Sequence, residues 1–226
     1  DDNPELVAAR TAGIQVLPRP EATAILTQPW QVLAVAGTHG KTTTSSMLTL
    51  MMRHAGDDCS YLIGSELNAT GTNAEQGSGT WAVVEADESD GTAAHLSPVA
   101  LAVTNIDADH LNRWGSVAEL RRFFQSLVDE TSRLRRLAVC ADDPGAHSLT
   151  APAGIERVSY GVGQAADAHI TVLADHPEGC DFTVNGALEL TARTHVPGRH
   201  NVLNAVAAAL LASYAGADEA AIGRGI

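Results

Sequence analysis

The sequence predicts an α/β fold: a mostly parallel sheet of the phosphate-loop type flanked by helices, with a small antiparallel β subdomain. Three observations predict it. Short apolar runs alternate with helix-like stretches, the mark of buried parallel strands joined by crossover helices. One run, Gln31 to Ala36 (QVLAVA), leads directly into the loop GTHGKTT (37–43) and then into a helix-like TTTSSMLTLMMRHAG. From about Glu156 to Val196 the texture changes to short segments separated by Gly, Asn and Asp turns.

In chain order, ELVAARTAG reads as a helix and IQVLP as a short strand, followed by a connector containing Pro18 and Pro20. QVLAVA is a buried strand, and the helix after the loop closes at Gly56. Tyr61 to Gly64 is a further short strand. Trp81 to Ala86 (WAVVEA) is a strand ending in an acidic cluster, and Val99 to Asn105 (VALAVTN) is one ending in polar residues. Val117 to Leu134 reads as a helix and Arg136 to Cys140 as a strand. ERVSYGV, AHITVLAD, CDFTVNG and ALELTARTHV read as the small antiparallel sheet. After Pro197-Gly198 comes the Ala-rich helix HNVLNAVAAALLASYAG.

Composition narrows the function classes. The 226 residues are 45% hydrophobic, enough for one large domain with pieces of its neighbours. The opening DDNPELVAAR has no signal-peptide character and no initiator Met, so the chain is expected to be an internal piece of something longer. A net charge of −13 argues against nucleic acid or an acidic membrane surface as partner. No apolar run approaches the ~18–20 residues of a membrane span. Three widely spaced cysteines, with no CxxC pair, give no zinc signal and suit a reducing cytoplasm. Of the 14 Lys and Arg residues, one alone is lysine, Lys41, and it lies inside the loop.

That loop has the parts a triphosphate cradle needs. Gly37 and Gly40 let backbone N–H groups approach oxygen atoms closely. Lys41 can reach the β and γ phosphates, and Thr42 offers a hydroxyl to magnesium. The helix that follows adds a partial positive charge at its N-terminus. Thr38, His39 and Thr43 complete the segment. The spacing is G-x2-G-K-T, shorter than the general G-x4-G-K-[ST], with Val35 where the first glycine would stand. Farther along, Glu85, Asp87, Glu88 and Asp90 gather at the C-terminal end of a predicted parallel strand, the edge where open α/β sheets bind ligands. Carboxylates there suit a hard cation, although a solvated acidic turn would explain part of the cluster, Glu88 and Asp90 among it. Asp107, Asp109 and His110 follow the next strand; Thr104 and Asn105 at its end are candidates to contact substrate or orient a metal shell. Asn201 and Asn204 lie on one helical face and could read an adenine edge, or one could be a cap and the other face solvent.

The short loop GTHGKTTT resembles that of the Mur ligases, the amide-forming enzymes of peptidoglycan synthesis. VVEADESDGT (83–92), VALAVTNIDADHLNRWGS (99–116) and VPGRHNVLNAVAAALLA (196–212) are similar to further segments of that family, and NPELVAAR and VLPRPE resemble its junction between first and second domains. The Thr-His form of the loop is most like the branch that joins L-alanine to the lactyl carboxylate of UDP-N-acetylmuramate. The resemblance implies ATP and Mg2+ as cofactors. Glu85 would bridge two magnesium ions, one shared with Thr42 and one with His110. Lys41 would neutralise the phosphoryl group in motion, and Asn201 and Asn204 would hold the adenine. It also implies residues 1–29 as the tail of an N-terminal UDP-sugar domain and linker, 30–216 as the central ATPase domain with 155–197 its small antiparallel sheet, and 217–226 as the start of a linker to a C-terminal domain. Some relatives carry a carbamylated lysine about fifteen residues past the position of His110. Here LNRWGSVAELRRFFQ has no lysine, so water or another side chain must complete that metal shell. Roles for His39, Arg199 and His200 stay open. Two rival readings share these motifs: a ligase of the same family that recycles muropeptides or resembles folylpolyglutamate synthetase, and a nucleotide-binding switch that ligates nothing. No NKxD-like guanine reader is present to favour a GTPase.

Overall fold

The structure, a computed structural model, describes residues 2–109 and 114–226. Among these residues ten strands, numbered in chain order, form one sheet in the order β10-β9-β8-β7-β6-β5-β1-β4-β2-β3. Its centre is parallel: β1 (Gln31–Ala36) lies between β4 (Trp81–Glu85) and β5 (Ala100–Val103). Beyond them come β2 (Ser60–Leu67) on one side, and β6 (Arg136–Cys140) and β7 (Glu156–Gly161) on the other. The central strands β1, β5 and β6 are short, apolar and almost wholly buried, as strands covered on both faces must be. At one edge β3 (Thr72–Glu75) pairs antiparallel with β2, and at the other β8 (Ala168–His176), β9 (Gly179–Gly186) and β10 (Leu190–Arg193) form an antiparallel meander.

The fold class agrees with the sequence, with one difference at the expected subdomain. Its first segment, β7, pairs parallel with β6, and β8 begins parallel to β7 before turning to β9. The antiparallel strands therefore extend the main sheet. Alternation along β7 could not reveal this, because neighbour direction is set by the connection through Pro144–His147, not by the strand.

Two early readings also change. IQVLP forms no strand; Ile14 is 62% exposed, its N–H donates back to the Ala9 carbonyl of α1, and among the described residues no strand pairs with the segment. The supposed connector contains helix α2 (Arg19–Thr27), after α1 (Pro4–Thr11). Pro18 and Pro20 open α2 because the first helical turn needs no N–H partner there. Thr23 and Thr27 bury α2's inner side, and α2 packs on the short α4 (Thr92–His95).

Helix α3 (Lys41–His54) leads from β1 toward β2, and α5 (Val117–Glu130) from β5 to β6. They move in opposite directions across the sheet, so right-handed crossovers put them on opposite faces. The connections reverse between β1 and β5, which creates the crevice where ligands bind in such sheets. Helix α5 stops at Glu130, short of Leu134, and the next residues turn into β6. Between β6 and β7 lies the single turn α6 (Pro144–His147). The Ala-rich α7 (Arg199–Tyr214) buries nearly every residue from Asn201 to Ala212, its small side chains allowing close approach to both sheet and α3. Residues past 217 form α8 (Glu219–Gly225) and pack on α3, where Gly225 meets the Met51 backbone.

Candidate functional site

The loop 37–43 crosses the C-terminal edge of the sheet from β1 to α3. Gly40 caps α3 with a φ of 80°, and no side chain caps the helix, which leaves its first N–H groups for an anion. A Cβ at Gly37 would lie 2.2 Å from Thr104 Oγ1, and one at Gly40 would lie 2.5 Å from Asn204 Oδ1. Close approach therefore demands both glycines, on top of the left-handed backbone.

The chain end of β5 clamps this loop. The His39 N–H donates to Asn105 Oδ1 at 2.8 Å, and Asn105 Nδ2 returns a bond to the His39 carbonyl at 3.0 Å. Thr104 Oγ1 donates to the same carbonyl at 2.7 Å. The Thr38 N–H donates to the Asn105 carbonyl, and Thr38 Oγ1 accepts from the Asp107 N–H at 3.0 Å. Thr104 and Asn105 thus act on the loop's backbone. The His39 ring points toward Asp107, 3.7 Å between Nε2 and Oδ2, with both side chains exposed.

The predicted Thr42 and Glu85 meet. Thr42 Oγ1 donates to Glu85 Oε1 at 3.1 Å, and Glu85 Oε2 accepts the Gly64 N–H at 2.7 Å. A Cβ at Gly64 would lie 2.8 Å from both Glu85 oxygens and would push the carboxylate from this position. Together with Arg19, Leu62, Ile63 and Asp87 these residues line a cleft of about 240 Å³. Among the described residues no three His, Cys, Asp or Glu side chains form a metal cage by themselves. A hydroxyl beside a carboxylate nevertheless fits a magnesium ion that takes its other oxygens from phosphate and water. His110 lies outside the described residues.

Lys41 does not face open solvent. Its ammonium donates to the Gly37 carbonyl at 2.8 Å, the Thr38 carbonyl at 3.2 Å and Glu88 Oε2 at 2.9 Å. Glu88 is only 1% exposed, which corrects its reading as part of a solvated turn. The signal was available: the chain's one lysine, buried at the sheet edge, needs a counter-charge, and Glu88 follows Glu85 by three residues. Burial works to raise the carboxyl of Asp87. Hydrogen bonds from Ser89 and the positive charges of Lys41 and Arg19 outweigh it and hold the group below its ordinary value.

Asn201 and Asn204 are neither cap nor solvent-facing: Gly198 is the cap of α7, and the two are 6% and 7% exposed. Asn204 Nδ2 donates to Asn201 Oδ1 at 3.2 Å, and Asn201 Nδ2 to the Pro197 carbonyl at 2.8 Å. Asn204 therefore lies behind the loop, against Gly40, and Asn201 lies behind Asn204. Arg199 stands 3.9 Å from Asp175, and the His200 ring packs over Gly198.

The family model of the Mur ligase middle domain matches residues 35–212, from the end of β1 through α7. The chain belongs to the Mur ligase family. The matched part is this family's ATP-binding domain. Among curated relatives, the UDP-N-acetylmuramate–L-alanine ligase of Mycolicibacterium gilvum is 44% identical over 222 residues, covering 96% of this chain and 47% of that protein. The enzyme of the same name from Nocardia farcinica is 42% identical and is covered to 46%. The solved UDP-N-acetylmuramate–alanine ligase of Thermotoga maritima superposes with a TM-score of 0.82 at 27% identity, over 100% of this chain and 51% of that one. This Mur ligase chain spans about half the length of the curated relatives it matches. No helix among its described residues is long and apolar enough to cross a membrane.

Proposed function

We propose that this chain is the central ATP-binding domain (30–216, with 155–197 its antiparallel part) of a cytoplasmic ligase that joins L-alanine to the lactyl carboxylate of UDP-N-acetylmuramate. ATP phosphorylates the carboxylate, the amine of L-alanine attacks the acyl phosphate, and phosphate leaves. Residues 1–29 and 217–226 lead to the UDP-sugar domain and the C-terminal domain of the same enzyme. The observation that carries the reading is the meeting of Thr42 and Glu85 in one cleft at the C-terminal edge of the sheet, with Lys41 beside Thr42 in the phosphate loop. The names of the relatives supply the substrates.

Catalysis here is positioning and charge neutralisation. The loop N–H groups and the α3 N-terminus bind the phosphates. Lys41 exchanges Glu88 for phosphate oxygen. Thr42 and Glu85, with His110, would hold magnesium, which would supply positive charge to the phosphate oxygens. Asn201 and Asn204 support the loop from behind and offer amide groups toward the adenine.

Phosphate release by the full-length protein tests the reading. Turnover is expected only with UDP-N-acetylmuramate and L-alanine both present; ATP hydrolysis indifferent to both would sink it. Faster turnover with a tripeptide than with L-alanine would move the assignment to the muropeptide-recycling branch.

A further inference from the structure

The cleft beside Thr42 and Glu85 has a cation that the sequence motifs leave without a role: Arg19, within the junction segment VLPRPE. Arg19, the first residue of α2, lines it together with the carboxylates of Glu85 and Asp87. Its backbone is fixed, because α2 is seated on α4 through the buried Thr23 and Thr27. Its guanidinium stays 64% exposed and stands 3.1 Å from Asp90 Oδ2. That contact lies outside hydrogen-bond geometry, for Asp90 Oδ2 is buried and has no hydrogen-bond partner. Asp90 therefore holds the guanidinium near the cleft by charge without occupying its donors.

An acyl acceptor entering here is itself an anion. It must approach an anionic γ-phosphate inside a cleft walled by two carboxylates. Lys41 is already engaged on the phosphate side by the loop carbonyls and Glu88. Among the described residues Arg19 is the one Lys or Arg lining the cleft. A planar guanidinium matches both oxygens of a carboxylate, which an ammonium cannot do.

We propose that Arg19 binds the carboxylate of the acyl acceptor through both oxygens and so sets it in line with the γ-phosphate. The assignment rests on the ligase reading above. It makes the segment before β1 part of the substrate site rather than a passive linker.

Steady-state kinetics of the full-length protein, with MgATP affinity measured separately by calorimetry, tests it. Arg19→Ala is expected to raise KM for UDP-N-acetylmuramate about 10- to 100-fold, the scale of a charge-assisted hydrogen-bonded pair. KM for L-alanine and the Kd for MgATP should remain within about twofold, which also shows the variant to be folded. Arg19→Lys keeps the charge and loses the fork, so it should recover only a small part of the acceptor KM. An unchanged acceptor KM in Arg19→Ala, a parallel loss of MgATP affinity, or full recovery by lysine would each overturn the assignment. Failure of the ligase reading looks different: the wild-type protein itself would then turn over no acceptor.

Discussion

Lys41 and Glu88 form a buried ion pair, with Nζ 2.9 Å from Oε2, across 47 residues of sequence. Both side chains are largely out of water, so removing one leaves the other charge unpaired at a cost of about 3–5 kcal/mol. Glu88→Gln should therefore destabilise the nucleotide-free chain by an amount on that scale. The same change frees Lys41 for phosphate, so MgATP should bind more tightly than to wild type and recover much of the lost stability. Urea unfolding with and without MgATP measures both. Equal stability and unchanged affinity would mean that the pair holds nothing in place.

Thr42 and Glu85 predict a metal-dependent loss. Glu85→Gln keeps the shape but offers a weaker oxygen to a hard cation. MgATP affinity should fall by at least about tenfold, while nucleotide bound in EDTA should be indifferent to the change. Calorimetric titrations at several magnesium concentrations separate the two. An equal loss with and without magnesium would make Glu85 a structural residue of the loop.

Gly40 and Asn204 should behave as one unit. An alanine at Gly40 suffers a left-handed backbone, about 1–2 kcal/mol, and drives its Cβ against Asn204 Oδ1. Gly40→Ala should lower both stability and nucleotide affinity. In an Asn204→Ala background its further cost should be smaller, a coupling that a double-mutant cycle reads directly. Strict additivity would separate α7 from the loop.

Much of this was legible in the sequence because it is local. QVLAVA, GTHGKTT and the helix after them announce strand, loop and helix within twenty-odd residues, and Thr42 with Glu85 follows from two strand ends on one sheet edge. What was not legible depends on neighbours. The direction of β7 depends on a connection, and the burial of Glu88 depends on where Lys41 folds back. Asn204 points at a glycine more than 160 residues earlier. IQVLP looked like a strand by residue type, yet a strand needs a neighbouring strand, and Ile14 and Val16 have none among the described residues and stay exposed. Arg19 sat in what read as connector, where only the folded α2 reveals the cleft it lines.

Cys59 predicts the alkaline limb of stability. Burial against the core strips a thiolate of water and pushes the thiol up to about 12 from an ordinary 9.0, with Arg53 opposing only in part. Below pH 9 the thiol is neutral in both states and its contribution is intact. Between 9 and 12 the unfolded chain loses the proton while the folded chain keeps it. The native state then binds more protons, so stability falls as pH rises, by up to about 1.4 kcal/mol per unit. Cys140, pushed up to about 11 by burial, adds to the same limb. Urea midpoints measured from about pH 8 to 10.5 should decline in wild type and decline less steeply in Cys59→Ala, with the native protein unreactive toward Ellman's reagent at about pH 8. Parallel slopes in the two proteins, or rapid labelling of the folded chain, would show that Cys59 is not shielded as its burial requires.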